Sequence, residues 1–199
     1  MIKTIKIIFI SIILTFVNFL NLSADNGNNL KIGNENAKVT IKVFSSLTCP
    51  HCANFHEKIF KELKKDYIDT NKVKFEHHSF PLDLAALNAE KILRCVADKE
   101  KRFEFLSAIY KKQKKWAVGS DINVINNSIK EIGREFGLNN KNMDNCLSDE
   151  KVQDEILNER INAQKNYEIS STPTIYINKK KYKGDHEYKF FKKELDKLV

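Results

Sequence analysis

Two cysteines with two residues between them, Cys49-Pro50-His51-Cys52, are the part of this sequence best suited to covalent chemistry. Residues three apart on a helix lie on one face at a separation compatible with a disulfide, so reversible closure between the two sulfurs is geometrically easy. If a helix begins here, Cys49 is its N-cap and Pro50 takes the first helical position, where a missing N–H costs nothing. The Cys49 sulfur then faces the orphan N–H groups of His51 and Cys52. Those donors, the helix dipole and a protonated His51 ring all favour thiolate over thiol. The Cys49 pKa is therefore expected to fall from about 8.5 into the range of roughly 3.5 to 7.5. A fall of about three units stabilises the reduced form by about 4 kcal/mol, roughly 90 mV toward a more oxidising couple. An incoming thiolate would attack Cys49, and Cys52, one turn into the helix and the more buried partner, would leave. The mixed disulfide resolves when a second cysteine of the substrate attacks the shared bond.

The same four residues also match a zinc-knuckle half-site, and His51, His56, His77 and His78 offer nitrogen ligands. A zinc-binding interaction module is thus the reading from another class. It lacks a second close-spaced pair, since Cys95 and Cys146 stand alone in helical segments. Covalent haem attachment is excluded, because Ala53 stands where that motif needs histidine.

The elements that must position the pair follow from periodicity. Val39-Thr-Ile-Lys-Val-Phe-Ser45 reads as a strand leading directly into the cysteines. From Pro50 the period becomes helical, with Cys52, Phe55, Ile59, Leu63 and Tyr67 on one face and an end near Asn71. Lys72 to Phe80 is a second strand closed by Pro81, giving a β-α-β opening with a parallel pair. Between Asp83 and Tyr167 only helical segments are predicted, roughly 83–97, 100–116, 121–137, 140–147 and 149–167. Strand chemistry returns at Thr174–Ile177, turns through Asn178-Lys179, pairs again at Lys181–Lys183 and breaks at Gly184. A final amphipathic helix carries Phe190, Phe191, Leu195 and Leu198.

Composition bounds the rest. With 42% hydrophobic and 30% charged residues the chain has a globular balance, and its 199 residues favour one domain with an insertion. The 34 Lys and Arg against 26 Asp and Glu are scattered in short runs such as Lys111–Lys115 and Lys179–Lys181. No basic and aromatic residues interleave on one face, so a nucleic-acid partner is not expected. At the start, Lys3 and Lys6, an apolar run from Ile7 to Val17 and Leu22-Ser23-Ala24 read as an export signal over residues 1–24, with an uncleaved anchor as the alternative. Cleavage removes two Lys and no acids, lowering the net charge from +8 to +6. An even number of cysteines then enters an oxidising compartment where disulfides persist.

Phe44-Ser-Ser-Leu-Thr-Cys-Pro-His-Cys-Ala-Asn-Phe-His56 resembles the active-site stretch of the DsbA-like disulfide oxidoreductases, and Leu93–Ala97 and Ser170–Ile177 look like the same family. The resemblance implies an α/β, thioredoxin-like fold, a central mixed β-sheet flanked by helices, with an inserted α-helical domain. Residues 25–82 and 168–199 would form the thioredoxin-like parts and 83–167 the insertion. It further implies that Pro173 is a cis-proline opposite the cysteines. Thr172 before it would touch them and offer backbone groups to an extended substrate. Relatives can carry a second disulfide, so Cys95 and Cys146 are expected to form a structural bridge, with two buried free thiols as the alternative. Where relatives often place an acid in the first strand, this chain has Val43. His56 is read as a surface or packing residue. The implied activity is donation of the Cys49–Cys52 disulfide to reduced exported proteins in the periplasm. No cofactor beyond the two cysteines is expected, and a membrane-bound DsbB-like thiol oxidase would restore the pair. An isomerase or reductase using the same cysteines is the alternative, although isomerases usually add a dimerising domain, for which the residues after position 24 leave no room.

Overall fold

β-branched and aromatic side chains at Val39, Ile41, Val43 and Phe44 suit a strand covered on both faces. In the computed structural model, which describes residues 30–199, this segment is the middle strand of a five-stranded sheet. The strands are β1 (Leu30–Gly33), β2 (Val39–Ser45), β3 (Val73–Ser79), β4 (Thr174–Ile177) and β5 (Lys180–Lys181), in the order β1-β3-β2-β4-β5. β2 and β3 run parallel, with Val39 opposite Val73, and the other pairs are antiparallel. The expected α/β, mixed-sheet thioredoxin-like architecture with a helical insertion is therefore what the chain adopts.

Two strand assignments change. β1 falls in a stretch from which no strand was expected; it is a four-residue edge strand on β3, too short for alternation to show. It stops at Gly33, whose φ of +99° is open to glycine and whose close approach to the Val73 carbonyl leaves no room for a side chain. β5 pairs at Lys180–Lys181 rather than at 181–183.

The helix after β2 begins as α1 (Pro50–Asn54), widens into π-helical turns at Phe55–Phe60 and Lys64–Ile68, and keeps a short α2 (Lys61–Leu63) between them. Its inward residues are those expected: Cys52, Phe55, Ile59, Leu63 and Tyr67 are all 2% exposed or less. They pack with Ile41 and Val43 in the larger core cluster. Phe44 points to the other face of the sheet, where it meets Phe80, Ala163 and Ile169.

Between β3 and β4 lie α3 (Leu84–Cys95), α4 (Lys99–Lys111), α5 (Gln113–Trp116), α6 (Ile122–Glu135), α7 (Asn140–Ser148) and α8 (Glu150–Tyr167). Asp83, Asp98, Asp121, Asn139 and Asp149 cap five of them, each accepting a first-turn backbone N–H. The single helix expected over 100–116 is broken at Lys112, with φ −97° and ψ 7°, so that α5 starts in a new direction. The chain closes with α9 (Tyr188–Leu195), which buries Phe191 and Leu195, while Leu198 lies beyond it and is exposed. Among the described residues no helix is long and apolar enough to cross a membrane, and the export signal expected over 1–24 lies outside them.

Cys95, the last residue of α3, is joined to Cys146 of α7 by a disulfide, with Cα atoms 6.3 Å apart and a sequence separation of 51. A loop of that length restricts the unfolded chain by about 4 kcal/mol in the entropy model. Replacing both cysteines by alanine is expected to lower unfolding stability by about 2–4 kcal/mol while leaving Cys49 reactivity intact. Denaturant titration of the oxidised proteins checks this, and matching midpoints would mean the bridge does not constrain the chain.

Candidate active site

The register of the sheet builds the site. Phe44 near the end of β2 stands opposite Thr174 at the start of β4, so the residues just after Phe44 and just before Thr174 must meet. The first group is Ser46 to Cys49, and the second is Thr172-Pro173, whose peptide bond is cis. Cys49 Sγ donates to the Thr172 carbonyl at 3.3 Å. Thr174 Oγ1 donates to the Ser171 carbonyl at 2.7 Å, holding the approach to β4 in shape.

Cys49 is the N-cap of α1 in extended conformation, φ −78° and ψ 119°, with Pro50 at the first helical position. Its carbonyl accepts the N–H groups of Cys52 and Ala53, both at 3.1 Å. Both cysteines are free thiols, Cys49 7% exposed and Cys52 1%. The Cys49 thiol is lowered to about 5, first by a hydrogen bond from the Cys52 thiol, against the opposing effect of burial. The Thr172 side chain and the N–H groups of Cys52 and His51 lower it further. Cys52 goes the other way: burial and the neighbouring Cys49 hold it protonated far above an ordinary thiol. Sequence reasoning gave the leading role to the helix N–H groups and the His51 ring. In the folded site the Cys52 thiol leads and the N–H groups are secondary. His51 is exposed beside Pro50.

The Thr172 hydroxyl is buried and has no hydrogen-bond partner among the described residues, yet it lies within reach of both sulfurs and favours the anionic form of each. It is a donor held ready for a thiolate. Thr172 thus presents a carbonyl to the protonated sulfur and a hydroxyl to the ionised one.

The remaining histidines have other partners. His56 is buried, stacks on Phe60 at 4.4 Å and shares a 2.8 Å hydrogen bond with Ser107 Oγ. Burial lowers it to about 3, so it packs as a neutral ring. His77, opposite Val43 in the sheet, pairs with buried Glu90 at 3.0 Å, and His78 pairs with Glu76 at 3.0 Å. Among the described residues no three His, Cys, Asp or Glu side chains are grouped to hold a metal ion.

Two contacts from the insertion escaped sequence reasoning. Asp83, the cap of α3, also accepts from Thr48 Oγ1 at 2.7 Å, one residue before Cys49. Gln113, buried in α5, donates from Nε2 to the carbonyls of Leu47 at 2.8 Å and Cys49 at 3.0 Å. The sequence carries no signal for the second, because a glutamine inside Lys111-Lys112-Gln113-Lys114-Lys115 is equally at home on a solvated surface.

A cysteine pair at the head of a helix, facing a Thr-Pro loop across a mixed sheet, is the arrangement of a thioredoxin-like redox protein. The family model described as thioredoxin matches residues 25–197, and the chain belongs to that family. Within it the structural neighbours are DsbA proteins. Wolbachia pipientis alpha-DsbA1 superposes with a TM-score of 0.79 at 29% identity, covering 86% of this chain and 91% of that one. Disulfide bond formation protein D of Bacillus subtilis is 29% identical over 175 residues, 83% of this chain and 75% of that protein. A provisionally named protein-disulfide oxidoreductase of Rickettsia bellii is 32% identical over 151 residues, 76% of this chain and 57% of that protein. The chain spans only 53% to 57% of the length of its Rickettsia relatives.

Proposed function

We propose that this chain is an exported protein-disulfide oxidoreductase that donates its Cys49–Cys52 disulfide to reduced cysteines of other exported proteins through a mixed disulfide on Cys49. The observation that carries the reading is the unlike placement of the two sulfurs: Cys49 caps α1 with its Sγ 3.3 Å from the Thr172 carbonyl, while Cys52 is buried in the helix, and this lowers Cys49 to about 5 and holds Cys52 protonated. A dithiol in which one sulfur is a stable anion is a poor reductant, so its disulfide is a strong oxidant.

In the forward step a substrate thiolate attacks Cys49 Sγ. The Cys49–Cys52 bond breaks, and Cys52 keeps the bonding pair and takes up a proton. The substrate's second thiolate then attacks its own sulfur in the mixed disulfide, and Cys49 departs as a thiolate. One disulfide has moved to the substrate and the enzyme holds a dithiol, so electrons and atoms balance without any cofactor beyond the two cysteines.

Pro50 sets the helix start and His51 presents its ring at the rim of the site. Thr172 and Pro173 offer backbone to an extended substrate segment beside Cys49. The leader-like residues 1–24 support export, and with it a periplasmic location. The reduced enzyme then needs an electron acceptor, and a membrane-bound DsbB-like thiol oxidase fits that need.

Equilibration with glutathione tests the proposal. The reduction potential is expected on the order of −120 mV, with reoxidation of a reduced, unfolded ribonuclease at stoichiometric yield. A potential near the roughly −270 mV of thioredoxin would instead make the pair a reductant.

A further inference from the structure

We propose that Gln113 is a positioning residue for the reactive sulfur: its amide clamps the Leu47–Cys49 turn to the helical insertion and keeps the head of α1 aimed at Cys49 Sγ. The inference rests on the function proposed above and adds to it a residue 64 positions from the nucleophile.

Gln113 is 6% exposed, and its Nε2 reaches two carbonyls of the turn that carries Cys49. An amide nitrogen has two N–H donors, and here each has an acceptor, so the fork fits the turn. The Cys49 carbonyl already accepts from Cys52 and Ala53 at the helix start, so Gln113 is its third donor. Three donors on one oxygen screen its negative end from the sulfur and fix the carbonyl, and with it the turn, in one orientation. The donor is itself braced. The break at Lys112 turns α5 toward the site, and Trp116, buried in the same short helix, donates from Nε1 to the Ile109 carbonyl at 2.8 Å. Among the described residues no other side chain bonds either carbonyl, so without Gln113 both lose a buried partner.

A purely structural role would lower stability and leave the sulfur's chemistry alone. A positioning role moves the chemistry as well. Gln113→Met keeps the volume and removes both donors. It is expected to raise the midpoint of Cys49 alkylation by about one pH unit and to shift the equilibrium with glutathione about tenfold toward the disulfide. Ile129→Val, in the buried face of α6, serves as a destabilised control and should shift neither quantity. An unchanged midpoint in Gln113→Met, or an equal shift in Ile129→Val, overturns the inference. Should Gln113→Met give no folded protein, the unaltered protein decides by NMR. The Gln113 side-chain amide signals should be protected from exchange and should move as Cys49 ionises, whereas freely exchanging signals indifferent to Cys49 overturn it. A wild-type Cys49 midpoint at the ordinary thiol value would sink the proposed function itself, while a low wild-type midpoint untouched by Gln113→Met sinks only the role of Gln113.

Discussion

Cys49→Ser is expected to abolish disulfide transfer, with a loss of at least about a thousandfold, because a hydroxyl neither forms the mixed disulfide nor ionises at neutral pH. The partner position behaves differently. In reduced Cys52→Ala and Cys52→Ser the Cys49 thiolate can still attack an oxidised substrate, but no second enzyme sulfur is there to release it. A covalent adduct of one enzyme and one substrate should accumulate, visible on a non-reducing gel and released by dithiothreitol. The two variants should differ in one respect. The Cys52 thiol is the first cause of the low Cys49 value, and a serine hydroxyl in its place can donate where alanine cannot. Cys49 should therefore be less acidic in Cys52→Ala than in Cys52→Ser. Equal acidity in the two would mean that the helix, not the partner side chain, holds the anion.

The second large effect is a pH-dependent gap in stability between the reduced and oxidised forms. Cys49 is lowered in the folded reduced protein from 9.0 to about 5. A lowered value means that ionisation stabilises the folded state. This contribution is complete above the unfolded value near 9, declines as pH falls, and is lost through pH 5. Each unit of the interval is worth at most about 1.4 kcal/mol, less where solvent reaches the sulfur. The disulfide form has no such group, so the reduced protein should be the more stable form at pH 7 to 8. The two should converge near pH 5. His56, lowered to about 3, and Glu76, lowered to about 2, affect both forms alike and cancel in the difference. Cys52, held protonated, adds only above pH 9, where it acts against the fold. Paired denaturant titrations at pH 4.5 and 7.5 measure the gap, and a gap of the same size at both values would remove Cys49 ionisation as its source.

The chemistry and its immediate support were legible in the residues. Two cysteines three apart after a β-branched strand, with proline at the first helical position, define a helix-head thiol from local geometry alone. The same holds for the buried face from Cys52 to Tyr67 and for the helical stretch between the second and third predicted strands. These are properties of neighbours in sequence, set by strand and helix periods and by the backbone groups left over at a helix start. Resemblance to relatives, rather than such periods, pointed to Thr172, Pro173 and the Cys95–Cys146 pair.

Tertiary structure alone decided what surrounds the sulfur. Strand β1 exists because β3 has a free edge for Leu30 to Gly33, not because those four residues demand extension. Thr172 meets Cys49 because β4 pairs antiparallel to β2 in one particular register, and no pattern within either segment encodes that offset. Gln113 reaches the Cys49 carbonyl because the helix breaks at Lys112 and the short helix that follows lies against the Leu47–Cys49 turn. Local sequence specifies which groups are offered, since propensity and period act over a few residues. Which of them finally satisfy a buried sulfur and its carbonyl depends on close packing between distant segments, where each remaining polar group must find a partner or lose the free energy of its contact with water.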